Sequence, residues 1–443
     1  MREQDSPANT LYQLVTNEED ARACADLPDA ACTELPGNFM LMLCALVLTK
    51  LGDLLVSPKI VLTWLLGAVG APAGLTALLV PIRESGSMLP QIVIGAWVRR
   101  HRIRKTFWVL GSVGQGACVM AMAASAWWLE GVQAGWAIVA ALVLFSLFRG
   151  LCSVAIKDVE GKTIPRQRRG RLSGLASTAA GIMTALLSLW LFSDGAVTSQ
   201  LFYIGLLMIA ALLWWNAAVL FARIEELPGE SDGGVSALQV VRANISLLWQ
   251  DRLFRDFVLA RALLMSSALA APFLVMLLQR DDNSSASLGA LLLASSLASS
   301  LSASVWGFMA DASSRQVMMR GGAIAALACA LVLPVFALDM PGLWHALAVA
   351  VLYFVLSVGH AGVRIGRKTY LVNMAEGNRR TDYVSLSNTV IGILLLVTGG
   401  LLAGLASWSV TATLVVLAAV AMLGVWHASR LPEVEQASKT SGA

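Results

Sequence analysis

PQIVIGAWVRRHRIRKTFWVLGSVGQGACVMAMAASAWW, residues 90–128, runs from an apolar stretch through a dense basic knot into 23 residues without a charge. The knot, RRHRIRK at 99–105, carries five Lys or Arg in seven positions. The uncharged run after it matches the roughly 20 residues that cross a bilayer core as a helix. A chain in lipid must satisfy its own backbone hydrogen bonds, so helices are the expected form. A membrane β-barrel would show alternating segments of about ten residues, and none occurs here.

Working outward from that stretch, the same pattern repeats along all 443 residues. Apolar segments fall near 38–58, 71–98, 106–128, 134–157, 172–193 and 200–222. Six more follow near 256–279, 287–309, 317–338, 343–366, 383–406 and 409–428. Hydrophobic residues make up 57% and charged residues 14%, with mean hydropathy +0.71. A soluble chain of this size needs about a quarter of its residues charged to cover its surface. An all-α membrane protein of twelve spans is therefore expected. KIVLTWLLGAVG, residues 59–70, reads as the end of the first span and a short extracellular link.

Charge placement sets the orientation. Besides the knot after span 2, the connection after span 4 holds Lys162, Arg166, Arg168, Arg169 and Arg171. That after span 10 holds Arg367, Lys368, Arg379 and Arg380. The links after spans 3, 5, 9 and 11 contain no Lys or Arg. Cationic loops stay in the cytoplasm, which puts both termini there. Residues 1–36 form an acidic tail, eight acids against Arg2 and Arg22, without the pattern of a signal peptide and with one short helix expected near Leu11–Ala23. The expected organisation continues with a six-helix bundle at 37–222, a linker at 223–255, a second bundle at 256–428 and a tail at 429–443. Within the linker, LPGESDGG at 227–234 is turn-rich. Val235, Leu238, Val241, Ile245 and Leu248 then recur at the spacing of an amphipathic surface helix.

Three local features carry a family resemblance. GFMADASSR contains Gly307, Asp311 and Arg315 between spans 8 and 9, and GAWVRRHRIRK contains Gly95, Arg99, Arg100, Arg104 and Lys105 between spans 2 and 3. IPRQRRGRLSG, residues 164–174, follows span 4, and NMAEGNRRTDYVSLSNT, residues 373–389, follows span 10. In these positions they resemble the loop motifs of the major facilitator superfamily, bacterial permease type. The resemblance implies two pseudo-symmetric six-helix bundles that act as a monomeric secondary transporter in the bacterial inner membrane. It also implies that the Gly–Asp–Arg motifs gate the cytoplasmic side. Arg99 stands where the first motif has its Asp, so an Asp-based latch is not expected on that side.

Ionisable residues inside spans are functional by default, because burying a charge in lipid is costly. Lys50 and Asp53 share a face of span 1, either as a pair or as cavity lining. Arg83 and Glu84 sit in mid-span 2, where Glu84, Ser87, Gln91 and Gly95 fall within about 60° of one another. Arg149 lies halfway along span 4. His360, Arg364 and Arg367 lie within about 40° on span 10. Arg261 is expected to snorkel to the cytoplasmic surface. Asp158, Lys157 and Lys162 read as a gate or surface network. SSLASSLSAS, residues 295–304, reads as close helix packing, and the fourteen tryptophans as an interfacial belt.

Cations outnumber acids in this set, which favours a small anionic or zwitterionic substrate bound around Arg149. Asp53 and Glu84 are then the candidates for proton coupling. A proton-coupled drug or metabolite exporter, or a receptor that has lost transport, are the alternatives. Neither a cofactor nor a nucleic-acid partner is expected. The six cysteines are scattered and form no ligand cluster, so no metal is expected. No GxxxxGK[ST] loop or nucleophile–base pair occurs, since EGKT at 160–163 lacks the upstream Gly; an enzyme is not expected.

Overall fold

In a computed structural model, residues 33–194, 199–229, 247–281, 285–338, 342–374 and 379–434 are described, and every regular element among them is a helix. The expected helix at Leu11–Ala23 and most of the amphipathic linker helix lie outside those residues. Only its end, α9 (Leu247–Gln250), is described.

The first half comprises α1 (Leu35–Leu55), α2 (Val61–Ala68), α3 (Ala73–Met88), α4 (Gln91–Arg99), α5 (Lys105–Trp128), α6 (Gly131–Thr163), α7 (Arg166–Asp194) and α8 (Gln200–Ala222). The second comprises α10 (Arg252–Leu264), α11 (Ser266–Leu269), α12 (Ala271–Asp281), α13 (Ser285–Ala312), α14 (Ser314–Ala337), α15 (Gly342–Met374), α16 (Arg379–Trp408) and α17 (Val410–Ser429). Eleven described helical stretches are long and apolar enough to cross a membrane, with α10–α12 taken as one. The chain is a multi-pass membrane protein. Its outer surface agrees: Trp127, Trp136, Leu144, Trp344, Trp408 and Trp426 stand exposed, an apolar coat that lipid tolerates and water does not.

The expected second span is absent from those eleven because it is broken. Pro90 has no N–H to donate to Gly86, and the chain divides into α3 of 16 residues and α4 of 9. Proline also breaks the opening span of each half. Pro58 separates α1 from α2, with Leu62 N–H donating to Ser57 O at 3.0 Å across the gap. Pro272, the second residue of α12, has no N–H to donate to Ala268 O, and the helix is interrupted at Ala270 between α11 and α12. Residues 59–70 thus hold the end of the first span, α2, followed by a short turn at Val69–Gly70. Val61, Leu62, Thr63, Trp64, Leu65 and Leu66 are all buried, and α2 completes the first span inside the bundle.

The two halves meet along α3 against α16, α7 against α13, and α2 against α12. Gly399 is required at the first of these: a Cβ there would lie 2.6 Å from Pro81 Cγ. Near the end of α2, Gln279 of α12 donates to Trp64 O at 2.8 Å. The α3–α16 seam runs from Gly74 beside Ser407 to Leu89, just past the end of α3, beside Gly392.

On the side of the chain ends, each half is tied off by a carboxylate four residues beyond its last helix. Glu226 accepts from Arg104 N–H at 2.9 Å, Lys105 N–H at 2.6 Å and Lys162 Nζ at 2.7 Å, capping the positive end of α5. Glu433 accepts from Ser313 Oγ at 2.7 Å and Arg315 Nε at 3.0 Å at the start of α14. Tyr370 Oη adds a bond to Pro432 O at 2.9 Å, so this part of the expected tail is packed structure.

Candidate functional site

Helix α1 carries Lys50 and Asp53 toward α6 and α3. Asp53 Oδ1 accepts from Arg83 Nη2 at 2.9 Å, and Arg149 pairs with both oxygens of the same carboxylate. Arg83 is the more enclosed cation, its side chain 12% exposed against 35% for Arg149. Its guanidinium also lies 5.0 Å over the ring of Phe145, one turn before Arg149 on α6. Lys50 takes a different partner: its Nζ donates to Ser177 Oγ of α7 at 2.9 Å, and its ammonium lines the cavity beside Asp53. Of the two sequence expectations for Lys50 and Asp53, cavity lining is the one that the geometry realises.

That cavity holds about 280 Å³ and is lined by Lys50, Asp53, Ser87, Gln115, Arg149 and Cys152, among others. Gln115 Nε2 donates to Cys152 Sγ at 3.3 Å, and Cys152 donates in turn to Trp108 O at 3.3 Å. The thiol is therefore a packed part of the wall.

A second cavity, of about 260 Å³, lies against the other half. The break at Pro58 turns Lys59 out of the helical register and into this space, where it meets Glu84, His360, Arg364 and Arg367. His360 Nδ1 is 3.1 Å from Ser267 Oγ, and Arg367 Nη1 donates to Met265 Sδ at 2.7 Å. The Glu84 carboxylate forms no hydrogen bond or ion pair among the described residues, although its carbonyl accepts from Ser87 Oγ at 2.9 Å; Lys59, Arg83, Arg149, Arg261 and Arg367 all lie within its electrostatic reach. The polar stripe expected on span 2 therefore divides. Glu84 faces this cavity, Ser87 faces the first, and Gln91 lines neither.

Two expectations are corrected here. Arg261 does not snorkel: it is 5% exposed and donates to Ser387 Oγ at 2.6 Å and Asn388 Oδ1 at 2.9 Å on α16. Among the described residues it has no carboxylate in contact. The serine-rich segment is not only packing, since Ser295 and Ser299, one turn apart on α13, line the second cavity.

The motif residues lie at the chain-end side. Gly95 and Arg99 belong to α4, and Arg100 is exposed just after it. In the second copy Gly307 and the exposed Asp311 end α13, while Arg315 turns away to Glu433. Asp158 pairs with Arg104 at 3.0 Å and Lys162 with Glu226, so this network ties the first half to itself. Lys59, Gln115, Ser267, Ser295, Ser299 and Ser357 are among the cavity residues that sequence reading missed. Lys59 had a signal, a lone cation after a proline in an otherwise apolar run.

Comparison with known proteins agrees with this architecture. The Major Facilitator Superfamily profile matches residues 257–443. Among solved structures, the chain is similar to the nucleoside transporter NupG, with TM-score 0.69 at 12% identity over 88% of this chain and 99% of that one. It is similar to a POT family transporter in complex with a thioalcohol-conjugated peptide, with TM-score 0.67 at 12% identity over 91% and 98%. It is also similar to a D-xylose–proton symporter, with TM-score 0.62 at 12% identity over 89% and 98%. These likenesses establish the fold. No curated protein sequence matches the chain.

Proposed function

We propose, from the premise that this chain belongs to the major facilitator superfamily, that it carries a small anionic or zwitterionic solute across a bacterial inner membrane by alternating access. The path has twelve spans with both termini cytoplasmic, and the bundles at 37–222 and 256–428 rock about the charged seam between them. One observation supports the choice of solute. Among the described residues, Lys50, Lys59, Arg83, Arg149, Arg261, Arg364 and Arg367 face two carboxylates, Asp53 and Glu84, across the two cavities and their walls. A bound anion offsets that excess, and the same excess repels a lipophilic cation.

Arg149 is the proposed anchor of the first cavity, being the more exposed of the two cations on Asp53. Glu84 is the proposed proton carrier, because Asp53 is held in contact with two guanidiniums and Glu84 is not. Counterflow of labelled organic acids and amino acids in proteoliposomes tests the proposal. Arg149→Gln is expected to reduce exchange at least tenfold, from loss of a charge-assisted contact. Exchange only of hydrophobic cations, or none with any solute, would overturn it.

A further inference from the structure

The second cavity has a charge arrangement that a monoanion does not satisfy. Among the described residues, Lys59, Arg364 and Arg367 line it together with a single acid, Glu84; Lys59 and Glu84 come from the first half, Arg364 and Arg367 from the second. His360 adds a ring nitrogen on Ser267, while Ser295, Ser299 and Ser357 add hydroxyls along the wall. Counted over the ionised groups that line it, three cations stand against one carboxylate. Unlike Asp53, that carboxylate is in contact with none of its cations.

We propose that this cavity is a subsite for a doubly charged anionic head, such as a phosphate monoester or a dicarboxylate, and that Glu84 is a tethered counter-anion which the incoming head displaces. The proposal rests on the transport reading for its purpose but not for its chemistry. Two negative charges answer the three cations more fully than the single charge of Glu84 that they displace, and the serine hydroxyls donate to the oxygens the cations leave free. At about 260 Å³ the space accommodates a small metabolite. Because Lys59 and Glu84 come from one half and α15 brings Arg364 and Arg367 from the other, ligand charge replaces the Glu84 attraction across the seam with one that bridges Lys59 to Arg364 and Arg367. Substrate then acts on the contact between halves as well as on its own site.

Binding to the full chain in nanodiscs, without any gradient, tests this. Glycerol 3-phosphate and succinate are compared by calorimetry with lactate, a monoanion of similar size. The dianions are expected to bind at least tenfold more tightly than lactate, with an affinity that weakens as salt rises. Glu84→Gln is expected to tighten dianion binding about tenfold, since like-charge juxtaposition across a dry contact is strongly unfavourable. Arg364→Gln is expected to abolish the preference for dianions, and Arg364→Lys to retain part of it. Should Glu84→Gln fail to fold, Glu84→Asp, with its shorter reach, is expected to give a smaller gain in the same direction. Equal binding of lactate and the dianions, or weaker dianion binding in Glu84→Gln, would overturn the subsite. Dianion binding without counterflow would leave the subsite standing and overturn the transport reading.

Discussion

The two halves of this molecule handle buried charge in opposite ways. In the first, Asp53 lies against Arg83 and Arg149. In the second, Arg261 is held by neutral oxygens on α16, Arg367 by a thioether, and the nearest acid is Glu84, reaching in from the other half without touching either. A contact ion pair in a half-buried setting holds helices in place, because removing one member strands the other. A cation held by hydroxyl, amide and sulfur keeps its charge uncompensated and available. The first half pairs its buried charges in contact, and the second holds its buried cations by neutral groups.

The largest effect that should separate the halves is at Asp53. Asp53→Asn leaves two guanidiniums without their carboxylate and is expected to cost about 3 kcal/mol, the low end for breaking a buried pair, given that water reaches Arg149. The thermal midpoint of the protein in detergent reports it, and adding Arg149→Gln should recover part of the loss. A midpoint equal to that of the unmodified protein would erase the contrast.

The next effect compares the two carboxylates at the chain-end side. Glu226 is fully enclosed and accepts two backbone N–H groups and an ammonium, whereas the Glu433 side chain is 20% exposed. Glu226→Gln is expected to cost about 2 kcal/mol. Glu433→Gln, with solvent screening its pairs, should cost about 1 kcal/mol or less. Equal shifts in the unfolding midpoint would mean that enclosure is not what distinguishes the two ends.

The smallest effect is the most informative about the second half. Arg261→Met exchanges a buried cation for an apolar chain of similar length, and the change is expected to lie within about 1 kcal/mol of zero or to stabilise. A loss comparable to that at Asp53 would show that Arg261 is structural and would remove it from the cation surplus.

Much of this protein was legible in its residues. The apolar segments, the basic knot at 99–105 and the charges Asp53, Arg83, Glu84, Arg149, His360 and Arg364 were all found from local sequence, and each lines a cavity or contacts a residue that does, apart from the knot. Lys59 was lost because a break at Pro58 looks, in sequence, like the end of a span. Arg261 was misplaced because distance from a helix end predicts snorkelling only when no neighbouring helix covers the residue, and α16 covers this one.

The sequence by itself determined that the chain spans a membrane many times and which residues carry charge into it. Hydropathy, proline and charge act on a few consecutive residues, so they can be read one segment at a time. Only the tertiary structure decided which cation meets which acid. Asp53 could have paired with Lys50 three residues away; the packing of α1 against α3 and α6 gave it Arg83 and Arg149 instead. Packing also sent Glu84, one residue from Arg83, across to the other half. Neighbouring positions on a helix point about 100° apart, so a pair adjacent in sequence serves two different cavities once helices surround it.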